Sequence, residues 1–149
     1  MTTTETLLTT WLEARTRFTN LLLKIDETTL SKKLIGTQNS VGFLIRHIAE
    51  VELLFAKNVF GATNINIHAK TIIAQHDTGE WTNLSALIQF QEEAFNGLKS
   101  VIEQQPDTAW EASITTKEFG TKTKAEALGR IISHTAYHAG QLAIILKYA

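Results

Sequence analysis

The stretch TKAEALGRIISHTAYHAGQLAIIL, residues 123–146, decides the fold predicted for this chain. It opens on Thr123 and Glu126, which match a capping box because the hydroxyl and the carboxylate can each satisfy an unpaired amide at a helix start. Apolar residues then recur at helical spacing, which predicts one long amphipathic helix with a buried face. That buried face comprises Leu128, Ile131, Ile132, Thr135, Leu142, Ile145 and Leu146.

The same helix carries two histidines one turn apart, His134 and His138. At this spacing both imidazoles project from one face and can reach one metal ion. His47, in an earlier apolar segment, lies between Leu44 and Val51 at helical spacing, so it too is expected to face the core. Because a buried imidazole is costly unless it is hydrogen-bonded or coordinated, all three need partners. An open metal site on two helices would supply them.

The N-terminal segment is predicted to form the first helix. It begins after a threonine cap at Thr3 or Thr4 and fades near Asp26. Its apolar side is expected to hold Leu7, Leu8, Trp11, Phe18, Leu22 and Ile25. The charged residues Glu13, Arg15 and Arg17 are expected to lie off that side.

Two further segments repeat apolar residues at helical spacing. One runs from about residue 40 to 60, after Asn39 or Ser40 as a cap, and the other from 82 or 83 to 105, where Pro106 disfavours helical geometry. With 149 residues and 44% apolar content, the chain can bury a hydrophobic core that needs no disulfide bonds to stabilise it. We therefore expect an all-α fold, a four-helix bundle with long connections, in one domain over residues 1–149.

The connections between these helices are long. Residues 61–81 contain isoleucines that indicate packing, and a short helix is expected near residues 69–75. His68 and His76 in this segment are expected to be exposed or cap-forming, although a lid or a fourth metal ligand stays open as the alternative. Residues 106–122 contain a β-prone run, 113–116, that allows a short extended piece. The tryptophans, expected in the core or at an interface, are Trp11, Trp81 and Trp110.

The composition of the chain limits the classes of partner and ligand that we expect. The net charge is −1, from 14 basic and 15 acidic residues without runs, so neither nucleic acid nor an anionic membrane is an expected partner. The chain has no cysteine, so any metal must use nitrogen and oxygen ligands, and any thiol chemistry must come from a bound cosubstrate. The N-terminal stretch lacks the pattern of a secretory signal, and no window approaches 18 apolar residues. A cytoplasmic protein is expected.

Other polar residues fall one turn from the histidines. Glu50 follows His47 and Arg130 precedes His134, so each could line the same cavity: Glu50 as a base, Arg130 as an anion contact, or either as a partner of a ligand. Surface salt bridges are the alternative for both. Gln141 could orient an imidazole or form an interhelical hydrogen bond. Tyr137 points in another direction and is expected in packing or a dimer contact.

Residues 39–50, NSVGFLIRHIAE, and 134–142, HTAYHAGQL, resemble the DinB/YfiT superfamily of small helical metalloproteins. That resemblance implies a four-helix bundle, often a homodimer, in which one histidine of the second helix and two of the fourth bind a divalent metal, usually zinc or nickel. Carried over, the ligands are His47, His134 and His138. Many members have a basic residue directly after the last of these; this chain has Ala139, which puts an anion contact from that position in doubt.

The family includes transferases that use low-molecular-weight thiols, a thiol-dependent isomerase and members without an assigned reaction, so membership selects no single reaction. Three neutral histidines leave a metal with its full charge and an open position, which can activate a thiol or water. We expect a metal-dependent enzyme acting on a small molecule, foremost a thiol S-transferase, with a hydrolase as the alternative. A non-catalytic dimeric helical protein with a structural metal or none is the alternative from another class.

Overall fold

The computed structural model describes residues 1–149 and contains four long helices, one short helix and a small hairpin. The predicted four-helix fold with a short helix near residues 69–75 is confirmed. A single 3-10 turn, Asp107–Glu111, precedes the hairpin. The elements are α1 Thr3–Leu22, α2 Val41–Asn58, α3 Lys70–Ala74, α4 Leu84–Glu103, β1 Ser113–Thr116, β2 Gly120–Thr123 and α5 Lys124–Tyr148.

The helix that the sequence defines best is α5. Thr123 accepts a hydrogen bond from the amide of Glu126 while the Glu126 carboxylate accepts from the amide of Thr123, so the predicted capping box is present. A second capping box begins α1, but its cap is Thr2 rather than Thr3 or Thr4. The other two long helices begin after Ser40 and Asn83, each of which caps an amide three residues on.

The end of α1 differs from the prediction. The helix stops at Leu22 rather than near Asp26. The Asp26 carboxylate accepts hydrogen bonds from the amides of Thr28 and Thr29, at 2.9 and 3.1 Å, and thereby starts a separate turn. Asp26 therefore organises the connection to α2 instead of ending the helix.

The central element is α2, which packs against α3, α4 and α5. Of its 18 residues 13 are buried, because apolar side chains lie on more than one face. Toward the C-terminal end of α2, the core gathers around Trp11 and Trp110; toward its N-terminal end it gathers around Phe18 and Leu142. Side chains in the middle of α2 therefore lie inside the bundle.

One expectation for α1 is wrong. Arg15, placed off the apolar side, is only 4% exposed. Its guanidinium forms an ion pair with Glu52 of α2 at 2.8 Å, so the charge is carried into the core with its partner. The apolar face of α1 is therefore interrupted by a charged residue.

The connection 61–81 lies against α2. The carbonyl oxygen of Trp81 approaches Gly42 so closely that a Cβ atom at Gly42 would lie 2.0 Å from it. Only glycine allows this approach. The amide of Thr71 donates to the Glu50 carboxylate at 3.0 Å, which attaches α3 to the middle of α2.

The extended run 113–116 is confirmed as β1, which pairs antiparallel with β2. The hairpin leads directly into Thr123, the cap of α5. It therefore fixes where the helix with two of the histidines begins. No helix of the structure combines the length and the apolar character that a membrane span requires.

Candidate metal centre

Three histidines from two helices meet inside the bundle. One ligand nitrogen from each of His47, His134 and His138 lies within 4.8 Å of the others. The Nε2 atoms of His47 and His134 are 3.1 Å apart. Two nitrogens bound tetrahedrally to one metal at about 2.0–2.1 Å would lie roughly 3.3 Å apart, so this separation suits a shared ion. The cluster could hold a metal ion.

Hydrogen bonds select the nitrogens that face the centre. Nδ1 of His47 lies 3.0 Å from Oγ1 of Thr71, and Nδ1 of His138 lies 2.7 Å from Oε1 of Gln141. When each Nδ1–H donates to an oxygen, the lone pair of each ring is left on Nε2. Gln141 thus lies against the ring of His138 on the same helix, where its side chain can orient the imidazole. Partners of this kind are typical of histidines that bind metals.

His134 is the least satisfied of the three rings. Its Nδ1 is buried and has no hydrogen-bond partner. Its Nε2 faces the Nε2 of His47, where two lone pairs would repel one another unless a proton or a cation lay between them. An unsatisfied buried nitrogen is costly. A divalent cation bound by the two Nε2 lone pairs would remove their repulsion, so the donor set fits such a cation.

The surroundings keep these rings uncharged. Burial, together with the neighbouring His138, lowers the pKa of His47 to about 4. Burial followed by His138, His47 and Arg130 lowers the pKa of His134 to about 3. Burial also lowers the pKa of His138, although its hydrogen bond with Gln141 opposes this. At neutral pH all three are thus in the neutral form that binds metals.

Glu50 is buried behind Thr71 and does not lie at the rim of a cavity, as its spacing had allowed. It is 0% exposed, and its carboxylate accepts hydrogen bonds from the amide and from the hydroxyl of Thr71, the latter at 2.6 Å. The Arg46 guanidinium lies 3.7 Å away. Glu50 therefore reaches His47 through Thr71. Sequence reasoning missed Thr71, since nothing in the sequence shows that residues 61–81 bring this hydroxyl to α2.

Two cavities flank the centre. One, of about 270 Å³, is lined by His134 and contains the predicted anion contact Arg130 with the unpredicted carboxylate Glu118. Tyr137 also lines it and is 67% exposed, with its ring 5.1 Å from that of His138, so its side chain lies beside the site. The other cavity, of about 250 Å³, is lined by Asn39, Phe43, His47, Thr71, Ile72, Gln75 and His138.

Other residues considered from the sequence lie away from the centre. His68 and His76 are exposed and are not part of the cluster, in line with the expected solvent positions. Trp11 and Trp110 are buried, and Trp81 is partly buried. Ala139 is 3% exposed, so its side chain packs in the core.

The fold and the histidine cluster together define a helical-bundle protein with a candidate three-histidine metal centre. A family model described as the DinB superfamily matches residues 10–142. The chain therefore belongs to the DinB superfamily. A search of curated proteins gives no significant match.

Solved structures share the fold. A mycothiol-dependent maleylpyruvate isomerase and its histidine-to-alanine variant each superpose with a TM-score of 0.69 at 20% identity, over 93% of this chain and 60% of the isomerase. The chain thus spans less than two thirds of that enzyme. A conserved protein from Enterococcus faecalis superposes with a TM-score of 0.66 at 17% identity, over 99% of this chain and 96% of that protein. At these identities the likeness shows the fold.

Proposed function

We propose that this protein is a metal-dependent enzyme acting on a small molecule, foremost a thiol S-transferase. The observation that carries the proposal is the convergence of three uncharged histidines with two Nε2 atoms 3.1 Å apart. His47, His134 and His138 would hold a divalent cation, zinc or nickel. Such a cation, bound by neutral ligands, supplies the positive charge that favours the deprotonated form of a thiol or of water.

The thiol must come from solution, because the chain has no cysteine. The name of the mycothiol-dependent isomerase supports a thiol as cosubstrate, since that enzyme shares the fold. The two cavities beside the histidines give two places for two reactants. A transfer from a thiol to an electrophile needs both reactants next to the activating group at once.

The cavity beside His134 favours an anionic reactant. The Arg130 guanidinium lines it and forms no ion pair within the chain. We assign Arg130 the anion contact, because an unpaired guanidinium binds carboxylates and phosphates well. Glu118, exposed in the same cavity, is better placed to accept a proton than the buried Glu50. If Glu50 moves a proton, it does so through Thr71 and His47.

Metal binding is the first test. Untagged protein is analysed for bound metal, and the melting temperature is measured while Zn²⁺ or Ni²⁺ is added. A ligand at 100 times its dissociation constant stabilises the folded state by about 2.7 kcal/mol. His138→Ala should lose this stabilisation and keep its helical content. His76→Ala, at an exposed histidine outside the cluster, is the matched control and should behave as the parent. A metallated His138→Ala would contradict the assignment.

The reaction is tested next with metal-loaded protein. Electrophiles with and without a carboxylate are offered together with several low-molecular-weight thiols, and adducts are followed by mass spectrometry. Arg130→Gln should raise KM for the carboxylate-bearing electrophile with little change in kcat, since the contact is made before and during the reaction. Turnover without any thiol would select the hydrolase. Absence of both metal and turnover would leave the non-catalytic helical protein.

A further inference from the structure

We infer that Thr71 is a positioning residue through which the connection 61–81 fixes the nitrogen that His47 presents to the metal centre. The role that we assign to Thr71 rests on the proposed function, because it serves a metal centre. The position of the proton on His47 can be tested without that function. The observation is a continuous chain of three groups: Glu50 carboxylate, Thr71 hydroxyl and His47 imidazole. The Thr71 hydroxyl lies 2.6 Å from Glu50 Oε2 and 3.0 Å from His47 Nδ1.

The direction of each hydrogen bond follows from the donors available. A carboxylate accepts only, so the single hydroxyl proton of Thr71 goes to Glu50. The Thr71 oxygen then has only lone pairs to offer, and His47 must donate its Nδ1–H. The imidazole of His47 is thereby held with Nδ1 protonated and Nε2 free, facing His134 Nε2 at 3.1 Å. A ring with the opposite proton placement would lose the bond to Thr71 and block the centre.

Several contacts hold the connection where Thr71 can act. Both carboxylate oxygens of Glu50 lie within 3.1 Å of the Thr71 amide nitrogen. Arg46 has its guanidinium 3.6 Å from the ring centre of Phe90 and 5.1 Å from that of Trp81, so it bridges α4 and the end of the connection. The Trp81 carbonyl rests on Gly42. The connection is therefore attached to α2 at two places along its length.

Attachment of the connection and occupation of the site are then coupled. A cation that needs the Nε2 lone pair of His47 binds best when Thr71 is in place, and linkage requires that its binding strengthen that attachment by the same factor. Thus residues 61–81 act as a clamp on the metal centre without supplying a ligand to it. The sequence left open a lid or a fourth ligand for this segment; the geometry points to a third role.

The test uses the metal-free protein with ¹⁵N-labelled histidine at pH 8, where the imidazole is neutral. In the parent, long-range ¹H–¹⁵N spectra should show His47 with the proton on Nδ1 alone. Thr71→Val should show a mixture of both tautomers, and Thr71→Ser, which keeps the hydroxyl, should restore the parent pattern. Thr63→Val, at an exposed threonine of the same connection, is the matched control and should leave the pattern unchanged.

Metal affinity and amide exchange give the second readout. Thr71→Val should bind Zn²⁺ about 10- to 100-fold more weakly, with Thr71→Ser near the parent. Zn²⁺ should slow hydrogen exchange at residues 70–74 in the parent but not in Thr71→Val. An unchanged His47 tautomer in Thr71→Val would overturn the inference. If that variant does not fold, Thr71→Ala against Thr71→Ser makes the same comparison. If the parent binds no metal, the proposed function fails while the tautomer still decides the inference.

Discussion

Two buried polar clusters lie between the helices, and they differ in whether their groups are satisfied. In the first, between α1, α2 and α4, Arg15 Nε and Nη2 lie 2.8 and 2.9 Å from the two oxygens of Glu52, and Nη2 also reaches Gln91 at 3.1 Å. In the second, the histidine cluster, two Nε2 atoms face one another and Nδ1 of His134 has no partner. The groups of the first cluster are all paired within the chain, whereas the second is a candidate metal site with one unpaired nitrogen.

The difference separates a structural role from a binding role. Both clusters are costly to bury, because each removes polar groups from water. Burial raises the pKa of Glu52, and the hydrogen bonds and charge of Arg15 oppose that rise. The network is completed by Thr19, which accepts from Nη1 at 3.3 Å, and by Phe18 and Phe95 against the guanidinium. Thr71 and Gln141 satisfy Nδ1 of two of the imidazoles, but Nδ1 of His134 has no partner, and the cluster could hold a metal ion through its remaining nitrogens.

The largest effect is expected from breaking the first cluster. Glu52→Ala leaves the Arg15 guanidinium buried without its carboxylate, so the free energy of unfolding should fall by about 3–5 kcal/mol, measured by urea denaturation. The double variant Arg15→Met with Glu52→Leu removes both charges and should lie close to the parent. Protein that remains folded should bind metal as the parent does. A small loss in Glu52→Ala would mean that water reaches the pair.

A smaller effect is expected at Gln141, on metal binding alone. Gln141→Leu removes the acceptor of the His138 Nδ1–H, so the ring is less firmly oriented and the affinity for Zn²⁺ should fall about tenfold, or roughly 1.4 kcal/mol, by calorimetric titration. Gln141→Glu keeps an acceptor and should retain most of the affinity. Gln89→Leu, at an exposed glutamine of α4, is the control. Equal affinities in all three would remove Gln141 from the metal centre.

The histidine cluster is the part of the molecule that the sequence predicts best. Capping residues and helical spacing define α5, and a spacing of four places His134 and His138 on one face. His47 follows from its place in the apolar stripe of α2. All these signals are local, because they depend on residues within a few turns of one helix. The family resemblance then predicts that the histidines of the two helices form one site.

The residues that the sequence did not place correctly depend on contacts between distant segments. Arg15 is charged and was expected off the apolar side, since its partner Glu52 is 37 residues away and no local pattern joins them. Thr71 is an ordinary polar residue of a five-residue helix, and its role follows only from the path of residues 61–81 across α2. Glu50 has the right spacing from His47 but is buried. The spacing of residues predicts which face of a helix a side chain lies on. It does not predict whether a distant segment of the chain covers that side chain.

The smallest expected effect is the pH dependence of stability that His134 gives to the histidine cluster. Unfolded, His134 has the ordinary pKa of 6.5; folded, burial lowers this pKa to about 3, so between these values the unfolded chain binds a proton that the folded chain does not. The stability contributed by the neutral ring is complete above pH 6.5 and falls as pH falls toward 3. By linkage, this one histidine should lower the metal-free protein's stability by about 1 kcal/mol between pH 6.5 and 5.5.

That share of the pH dependence can be isolated by substitution. His134→Gln removes the titrating group, so urea denaturation at pH 6.5 and 5.5 should show a slope reduced by about 1 kcal/mol relative to the parent. His76→Gln, at an exposed histidine, should keep the parent slope. Saturating Zn²⁺ should steepen the parent's loss of stability toward low pH, since the metal competes with protons for the same nitrogens. A parent slope unchanged in His134→Gln would mean that this ring is open to water and that the second cluster is not buried as described.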